Sequence, residues 1–201
     1  MSSIRPDPKK ILDFYEDSFA KYGNDPRSVH WSGEISQNAR FEVLSKIAPL
    51  DSKKILDAGC GIGDLYKFFL SKKISVDYTG IDIVPAFIER ARERFPEARF
   101  ILAEMGSATE QYDYILASGA FTILADGIDK DYYFSLIRDM FSHAKIGFAF
   151  NMLNAATNPA DETYLSYDID EVVRFCKTLT DKVVVIDGYL PQDFTVYMYR
   201  G

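Results

Sequence analysis

The glycine-rich stretch at residues 54–64 constrains the possible folds of this 201-residue chain more than any other. A short apolar run that contains one acid, Asp57, is followed by glycines at positions 59, 61 and 63. An apolar stripe at helical spacing then begins at Leu65. A strand, a glycine turn and a helix start form half of a nucleotide-binding βαβ unit, in which the backbone must approach its ligand closely. The stretch therefore predicts an α/β fold with a nucleotide-like ligand at this turn.

The spacing of the glycines narrows the kind of ligand. A dinucleotide-binding turn has the pattern Gly-x-Gly-x-x-Gly. Here the third glycine comes one position early, and Asp64 stands where the last glycine of that pattern would be. An acid at this position would repel a pyrophosphate, which disfavours a nucleotide-dependent oxidoreductase.

The pattern instead resembles motif I of the class I S-adenosylmethionine (SAM) dependent methyltransferases, Asp/Glu-x-Gly-x-Gly-x-Gly. Asp57, Gly59, Gly61 and Gly63 match this motif. SAM carries an ammonium and a carboxylate in place of phosphates, so acids near the loop are compatible with it. The resemblance implies SAM as the cofactor and a cofactor-binding loop that includes Cys60.

Two further stretches of the chain resemble cofactor-binding motifs of the same family. A second acid, Asp82, ends the predicted strand at residues 76–82, about 20 residues past the glycines, where such units place a ribose-binding carboxylate. Its two oxygens can accept both ribose hydroxyls, and Ile83 is placed to pack against adenine. Glu104 and Met105 follow the third predicted strand. The family usually has Asp there as the acceptor for the adenine amino group, and Glu104 keeps that chemistry.

The acceptor side is predicted at the end of the fourth strand, residues 112–118, which resembles motif IV of the family. The chain leaves the sheet there beside the sulfonium, which implies a cofactor contact at Ser118. Enzymes that methylate amino groups of DNA bases or glutamine often carry Asn/Asp-Pro-Pro-Tyr/Phe at this point. That motif is absent here. Small residues after Ser118 leave room for an acceptor. The candidate pocket residues are Tyr15, Tyr22, Trp31, Phe121 and Asn151.

Two helices are predicted before the glycine loop, at residues 11–22 and 37–48. The resemblance implies that residues 1–50 form a helical lid and substrate region, while residues 51–201 form the SAM-binding core of a single domain. Arg40 is placed to reach the SAM carboxylate, and His30 is the candidate general base. The other histidine, His143, is expected at a helix C-terminus, where a cation is stabilised.

Composition and local chemistry limit the expected partners. The net charge of −7 and the pI of about 4.9 disfavour contact with nucleic acid phosphates. Two cysteines do not make a disulfide framework, the first ten residues lack the apolar core of a signal peptide, and no apolar run approaches a membrane span. No metal is expected, because Ser118 replaces the acid that a metal-assisted O-methyltransferase would need. We expect a cytoplasmic protein, monomeric or homodimeric, that contacts neither membrane nor nucleic acid.

Seven strands are predicted, with helices between the first six and a closing hairpin-like pair at residues 183–187 and 194–199. This order resembles the Rossmann-like class I methyltransferase fold, whose mostly parallel sheet has one antiparallel strand and helices on both faces. The closing segment 189–197 is also similar to small bacterial methyltransferase-like proteins.

The predicted function is SAM-dependent methyl transfer to a small-molecule acceptor. Because the methyl group of SAM is already activated by the sulfonium, the protein acts mainly through proximity and orientation. Two alternatives stay open: a non-catalytic SAM- or nucleoside-binding protein of the same fold, and a protein or RNA methyltransferase. The acceptor atom is not readable from the sequence.

Overall fold

A computed structural model of the chain describes residues 12, 15, 16, 18, 19, 21, 23, 33–107, 109–124 and 128–201. Within this part of the chain, seven strands form one sheet in the order β3-β2-β1-β4-β5-β7-β6. The strands are β1 Lys54–Ala58, β2 Asp77–Asp82, β3 Arg99–Leu102, β4 Tyr112–Ala117, β5 Ala144–Leu153, β6 Val183–Ile186 and β7 Asp193–Tyr199.

The strand directions confirm the predicted sheet. Strands β1 to β5 pair with one another in parallel, whereas β7 runs antiparallel to both of its neighbours, β5 and β6. The chain order reverses between β1 and β4, because β2 and β3 lie on one side of β1 and β4 and β5 on the other. Open α/β sheets bind ligands in the crevice at such a reversal, outside the carboxyl ends of the strands.

Five described α-helices cover the sheet, and the described residues between 12 and 21 are also helical. The five are α1 Glu34–Ser45, α2 Asp64–Lys72, α3 Pro85–Arg94, α4 Lys130–His143 and α5 Ile169–Lys177. The predicted cap of α5 is confirmed, because the Asp168 carboxylate accepts a hydrogen bond from Glu171 N at 2.9 Å. None of the described helices is both long and apolar enough to cross a membrane.

One predicted feature of the connections is wrong. A helix was expected between each pair of the first six strands, but the described residues between β3 and β4 contain only a 3₁₀ turn, Met105–Ser107. The connection is short and carries Gly106, whose backbone freedom disfavours an α-helix. The chain therefore passes directly across the carboxyl edge of the sheet, next to the glycine loop.

The apolar core is divided between the two faces of the sheet. On one face α4 and α5 pack through side chains such as Ile137 and Val172. On the other face α1 and α2 pack through side chains such as Leu44 and Phe69. The sheet is thus covered on both sides by helices.

Candidate cofactor and acceptor site

The glycine loop is bonded to the end of the neighbouring strand. The N–H groups of Gly59 and Cys60 both donate to the carbonyl of Ile81, each at 2.9 Å. Gly59 and Gly61 have φ angles of 78° and 52°, which side chains rarely adopt. A Cβ atom at Gly59 would lie 3.1 Å from Cβ of Ala120. The loop therefore approaches the β4 exit closely, and glycine permits both its conformation and this approach.

Asp82 faces this loop, as the resemblance implied. Its Oδ2 accepts a hydrogen bond from Gly61 N at 2.9 Å, and its Oδ1 accepts one from Val84 N at 3.0 Å. Burial raises the pKa of Asp82, while hydrogen bonds from the backbone N–H groups of Val84, Gly61 and Ile83 lower it. A carboxylate offers about four lone-pair sites, so acceptor capacity remains on Asp82 beyond these three backbone bonds.

Asp57 lies beneath the loop and is almost fully buried, with 2% of its surface exposed. The Tyr78 hydroxyl donates a hydrogen bond to its Oδ2 at 2.6 Å. Burial, against the lowering effect of the Tyr78 hydrogen bond and with smaller contributions from the nearby Asp82 and Asp64, raises the pKa of Asp57 to about 7. No sequence motif singled out Tyr78.

Asp64 is ion-paired, which the sequence did not indicate. Arg94 Nη2 lies 2.8 Å from Asp64 Oδ1, and Arg94 Nη1 donates a hydrogen bond to the Ile62 carbonyl at 2.6 Å. Gln37 Nε2 donates to Asp64 Oδ2 at 3.1 Å. The charge of Asp64 is therefore compensated, and the argument against a pyrophosphate rests on the glycine spacing rather than on repulsion by this acid.

The remaining predicted cofactor residues differ in how they face the site. Met105 lies at the loop, since its Cε would be 3.4 Å from a Cβ at Gly59. Ile83 is half-buried and Glu104 is exposed. The Cys60 side chain points under β2, where a Cβ at Gly80 would be only 2.9 Å from its Sγ. Cys60 can therefore contribute to a ligand site only through its backbone.

Asn151 holds the β4 exit and does not line the predicted acceptor pocket. Its Oδ1 accepts a hydrogen bond from Gly119 N at 2.8 Å, and its Nδ2 donates to Ser118 Oγ at 3.4 Å. With only 1% of its surface exposed, Asn151 has little access to a ligand. Its amide holds the turn at which β4 leaves the sheet.

The assignment of Phe121 to the acceptor pocket is wrong. Its side chain has 0% exposure and packs edge-to-face against Tyr133 and Phe150, with ring centroids 5.8 and 5.7 Å apart. The hydrophobic effect favours this burial over a position in a polar pocket. Only the Phe121 carbonyl has a polar role, as the acceptor for the Tyr167 hydroxyl at 2.6 Å.

A second segment is bonded along the β4 exit. Leu124 N donates to Thr163 O at 2.8 Å, and Leu165 N donates to Thr122 O at 2.7 Å. The Tyr133 hydroxyl donates to Ile123 O at 2.8 Å. The irregular segment before α5, which was expected to flank the pocket, is thus joined to the β4 exit by backbone bonds.

The described N-terminal residues pack against the cofactor side. Tyr15 and Phe19 contact Phe87 edge-to-face, with centroid distances of 5.7 and 5.4 Å. They belong to a cluster with Ile62 of the glycine loop and with Val84. Burial, followed by the influence of Tyr133, Asp82 and Tyr164, raises the pKa of Tyr15 well above its usual value. Tyr15 is therefore brought to the site, and its contact with an acceptor stays a prediction.

Four other predicted residues are not placed in the site by the described structure. Tyr22, His30 and Trp31 lie outside the described residues. Arg40 is buried and donates two hydrogen bonds to the Asp193 carboxylate, at 2.8 and 2.7 Å. The structure thus gives Arg40 a carboxylate of the protein itself as partner, and its contact with SAM stays a prediction.

Known proteins resemble this chain in sequence. A family model described as a methyltransferase domain matches residues 56–147. The Mycobacterium tuberculosis protein Rv1506c, whose name places it among methyltransferases, is 31% identical over 161 residues, which are 75% of this chain and 95% of that protein. The chain belongs to the class I SAM-dependent methyltransferase family. Membership confirms the expectation of an enzyme and of SAM as its cofactor.

Two relatives with named acceptors match this methyltransferase over shorter stretches. The malonyl-[acyl-carrier protein] O-methyltransferase of Acetivibrio thermocellus is 36% identical over 92 residues, 42% of this chain and 32% of that protein. The trans-aconitate 2-methyltransferase of Enterobacter sp. strain 638 is 41% identical over 64 residues, 32% of this chain and 25% of that protein. The chain spans only about a third of these two proteins or less.

Solved structures confirm the fold of this methyltransferase. One is the magnesium protoporphyrin IX methyltransferase of Synechocystis PCC 6803, crystallised with bound S-adenosylhomocysteine (SAH). It has a TM-score of 0.70 at 12% identity, and the match covers 97% of this chain and 100% of that protein. The 1,6-didemethyltoxoflavin-N1-methyltransferase of Burkholderia thailandensis has a TM-score of 0.69 at 15% identity. The match covers 100% of this chain and 93% of that protein. At such identities the likeness concerns the fold alone.

Proposed function

We propose that this methyltransferase transfers the methyl group of SAM to a small-molecule acceptor at the carboxyl edge of its sheet. The observation that carries the proposal is the close approach of the cofactor loop to the β4 exit. A Cβ atom at Gly59 would lie 3.1 Å from Ala120 Cβ and 3.4 Å from Met105 Cε. Two ligands held on either side of this contact would be adjacent, which is the requirement for direct transfer between them.

The polar groups at the loop fit SAM. Asp82 retains acceptor capacity beyond its backbone bonds, which suits a ribose hydroxyl donor. Asp57 and Asp82 both lie at the loop and suit a ligand with positive charges. Met105 and Ile83 offer apolar contacts to a purine, and Glu104 offers an acceptor for its amino group. When bound, SAM would supply a methyl group already activated by its sulfonium.

The protein's own contribution would be to hold and align the reactants. Correct positioning of two reactants can lower a barrier by about 7–11 kcal/mol. The backbone bonds of Asp82 and the Asn151 bonds to the β4 exit keep both halves of the site in place. A general base would add a factor of about 10²–10⁴ where the acceptor must lose a proton, and His30 stays the proposed base.

Several observations favour a small acceptor over a macromolecule. The segment at residues 161–167 closes along the β4 exit through two backbone bonds, and Tyr15 packs over the cofactor side. Both arrangements suit an enclosed pocket better than an open groove. The net charge of −7 disfavours RNA. Two relatives are named for acceptors that carry carboxylates, a malonyl group and trans-aconitate, so small carboxylic acids are the first acceptors to test.

The experiment has a binding stage and a turnover stage. Calorimetric titration with SAM, SAH and NAD is expected to show micromolar binding of the first two and none of NAD. SAH release is then measured with a panel of small carboxylic acids, phenols and amines, and in parallel with bulk protein and RNA. Dependence of SAH release on one small-molecule class supports the proposal. Release only with protein or RNA contradicts the small acceptor, and absence of SAM binding contradicts the whole proposal.

A further inference from the structure

A buried tyrosine and a buried carboxylate meet below the cofactor loop. The Tyr78 hydroxyl lies 2.6 Å from Asp57 Oδ2, a distance typical of a hydrogen bond from a hydroxyl to an ionised carboxylate. Tyr78 and Asp57 expose only 5% and 2% of their surfaces. Both lie on neighbouring parallel strands, with Asp57 in β1 and Tyr78 in β2. The sequence motifs that identify the cofactor site include Asp57 but give no role to Tyr78.

The direction of the Tyr78 hydroxyl is set by the packing of its ring. The ring lies 4.8 Å from that of Tyr66 and 5.6 Å from that of Phe100, measured between centroids. These contacts belong to the core on the face of the sheet covered by α1, α2 and α3. Because the ring is held on several sides, the hydroxyl is presented to Asp57 without a further loss of side-chain entropy when a ligand binds.

The other ionisable groups around Asp57 disfavour its charged form. Asp82 at the end of β2 and Asp64 at the start of α2 are both acidic, and the buried Cys60 thiol lies in the loop between them. Arg94 from α3 pairs with Asp64, so its positive charge compensates that acid first. Among these groups, the Tyr78 hydroxyl is the one that stabilises the Asp57 carboxylate, because a hydrogen bond to the charged form favours it.

We propose that Tyr78 is a positioning residue of the cofactor site, whose hydroxyl keeps the Asp57 carboxylate oriented and ionised for a positively charged ligand. The inference rests on the proposed function, because it takes SAM as that ligand. SAM carries a sulfonium and an ammonium, so it binds better when Asp57 is charged. Protonation of Asp57 therefore competes with SAM, and Tyr78 extends the range of SAM binding towards lower pH.

The first test needs no ligand. The carboxyl carbons of aspartate are labelled with ¹³C, and the Asp57 signal is identified by its loss in Asp57→Asn. Its titration is followed in the wild-type protein and in Tyr78→Phe, which keeps the packed ring and removes the hydroxyl. The inference expects the pKa of Asp57 to be higher in Tyr78→Phe than in wild type. An unchanged pKa of Asp57 in the folded variant overturns the inference.

The matched control is Tyr66→Phe. It removes the hydroxyl of the ring that packs next to Tyr78, and that hydroxyl interacts with Glu97 rather than with Asp57. The pKa of Asp57 is expected to be the same in this control as in wild type. An equal rise in both variants would point to a general loosening of the core and would also overturn the specific role of Tyr78.

The second test measures SAM affinity from pH 5.5 to pH 8 in the same variants. At pH 6.5 we expect Tyr78→Phe to bind SAM roughly tenfold more weakly than wild type, the scale of one hydrogen bond to a charged group, and the gap is expected to narrow towards pH 8. Titration of SAM itself is common to all variants and cancels in the comparison. A loss that is the same at every pH contradicts an effect through Asp57. One outcome separates the two proposals: wild type binds no SAM, but the pKa of Asp57 still responds to Tyr78→Phe. The proposed function has then failed, and the role of Tyr78 in SAM binding fails with it. The hydrogen bond between Tyr78 and Asp57 is still supported.

Discussion

The candidate site has two halves, the proposed cofactor half at the glycine loop and the proposed acceptor half at the β4 exit. The hydrogen bonds that hold these halves join residues at different separations along the chain. In the cofactor half, Gly59, Cys60 and Gly61 are bonded to Ile81 and Asp82, about one βαβ unit further on. In the acceptor half, Asn151 reaches back to Gly119, and Tyr167 reaches back to Phe121, 46 residues away. The cofactor half is therefore built within one supersecondary unit, whereas the acceptor half needs the strand order of the whole sheet.

This difference matters for how each half can be changed. The proposed cofactor half depends on backbone conformation and on two acids at the loop, the buried Asp57 and the ribose candidate Asp82. The acceptor half depends on buried side chains that hold loops in place without facing the ligand. Substitutions in the first half should act on SAM binding, and substitutions in the second should act on stability and turnover.

The largest expected effect is that of Gly61→Val in the cofactor loop. Gly61 has a φ angle of 52°, which a β-branched residue adopts only with strain. Calorimetry is expected to show no SAM binding at millimolar concentration. The matched control is Gly188→Val, which has a φ angle of 72° in the β6–β7 connection and open space around the new side chain. Normal SAM binding by a folded Gly61→Val would show that the loop is not the cofactor site.

Asp57→Asn is expected to separate stability from function within the cofactor half. The pKa of Asp57 is about 7 in the folded protein and about 3.9 in an unfolded chain. Between these pH values Asp57 is already ionised in the unfolded chain but still protonated in the folded protein. The free energy of unfolding therefore falls as pH rises. The variant lacks this loss and should be more stable than wild type by roughly 2–4 kcal/mol at pH 8, but it should bind SAM more weakly.

The check on Asp57→Asn is urea unfolding at several pH values. The stability difference from wild type should be small near pH 4, should grow up to about pH 7 and should then be constant. Asp187→Asn, which changes an exposed acid after β6, is the control and should show no such growth. A difference that is independent of pH would contradict a buried, ionising Asp57.

A smaller effect on binding is expected for Asp82→Ala. The change removes the proposed ribose acceptor together with the bonds to Gly61 N and Val84 N. SAM affinity should fall by about 1.5–3 kcal/mol, the scale of hydrogen bonds to a charged group. Asp77→Ala, an exposed acid at the other end of the same strand, should bind SAM like wild type. Unchanged affinity in a folded Asp82→Ala would remove the ribose assignment.

The smallest effect on SAM binding is expected in the acceptor half, for Asn151→Ala. The variant leaves Gly119 N without its buried acceptor, so the free energy of unfolding should fall by about 1–3 kcal/mol. SAM affinity should stay within about twofold of wild type, while turnover with an acceptor falls. Asn38→Ala on the exposed surface of α1 is the control for loss of an amide. A loss of SAM affinity as large as that of Asp82→Ala would erase the distinction between the two halves.

The residues proposed for the cofactor half could be recognised in the sequence because they follow one another in a strand, turn, helix and strand. Asp57, the alternate glycines and Asp82 are recognisable by spacing alone. The same patterns missed three partners that come from other elements. Tyr78 contacts Asp57. Arg94 contacts Asp64 and the Ile62 carbonyl, and Gln37 contacts Asp64. A tyrosine in a strand and an arginine in a helix carry no signal of their partners until the strands and helices are packed.

The acceptor half was predicted less well for the same physical reason. Phe121 was predicted to line the acceptor pocket, but it is a core side chain between α4 and β5. Arg40, on the cofactor side, was predicted to reach the SAM carboxylate because a cation suits a carboxylate; the structure pairs it with Asp193, 153 residues away, and its contact with SAM stays a prediction. In both cases the residue type was informative and the direction of the side chain was not.

By itself, the sequence determined the α/β fold class, the seven strands, the position of the glycine loop and the family of the protein, because these depend on short-range periodicity and spacing. Only the tertiary structure decided which polar side chains meet. It paired Tyr78 with Asp57, Arg94 with Asp64 and Asn151 with Gly119. Such pairs depend on strand order and on the angle at which each helix packs. A buried polar group must find a partner somewhere in the fold, but nothing in its local sequence says where.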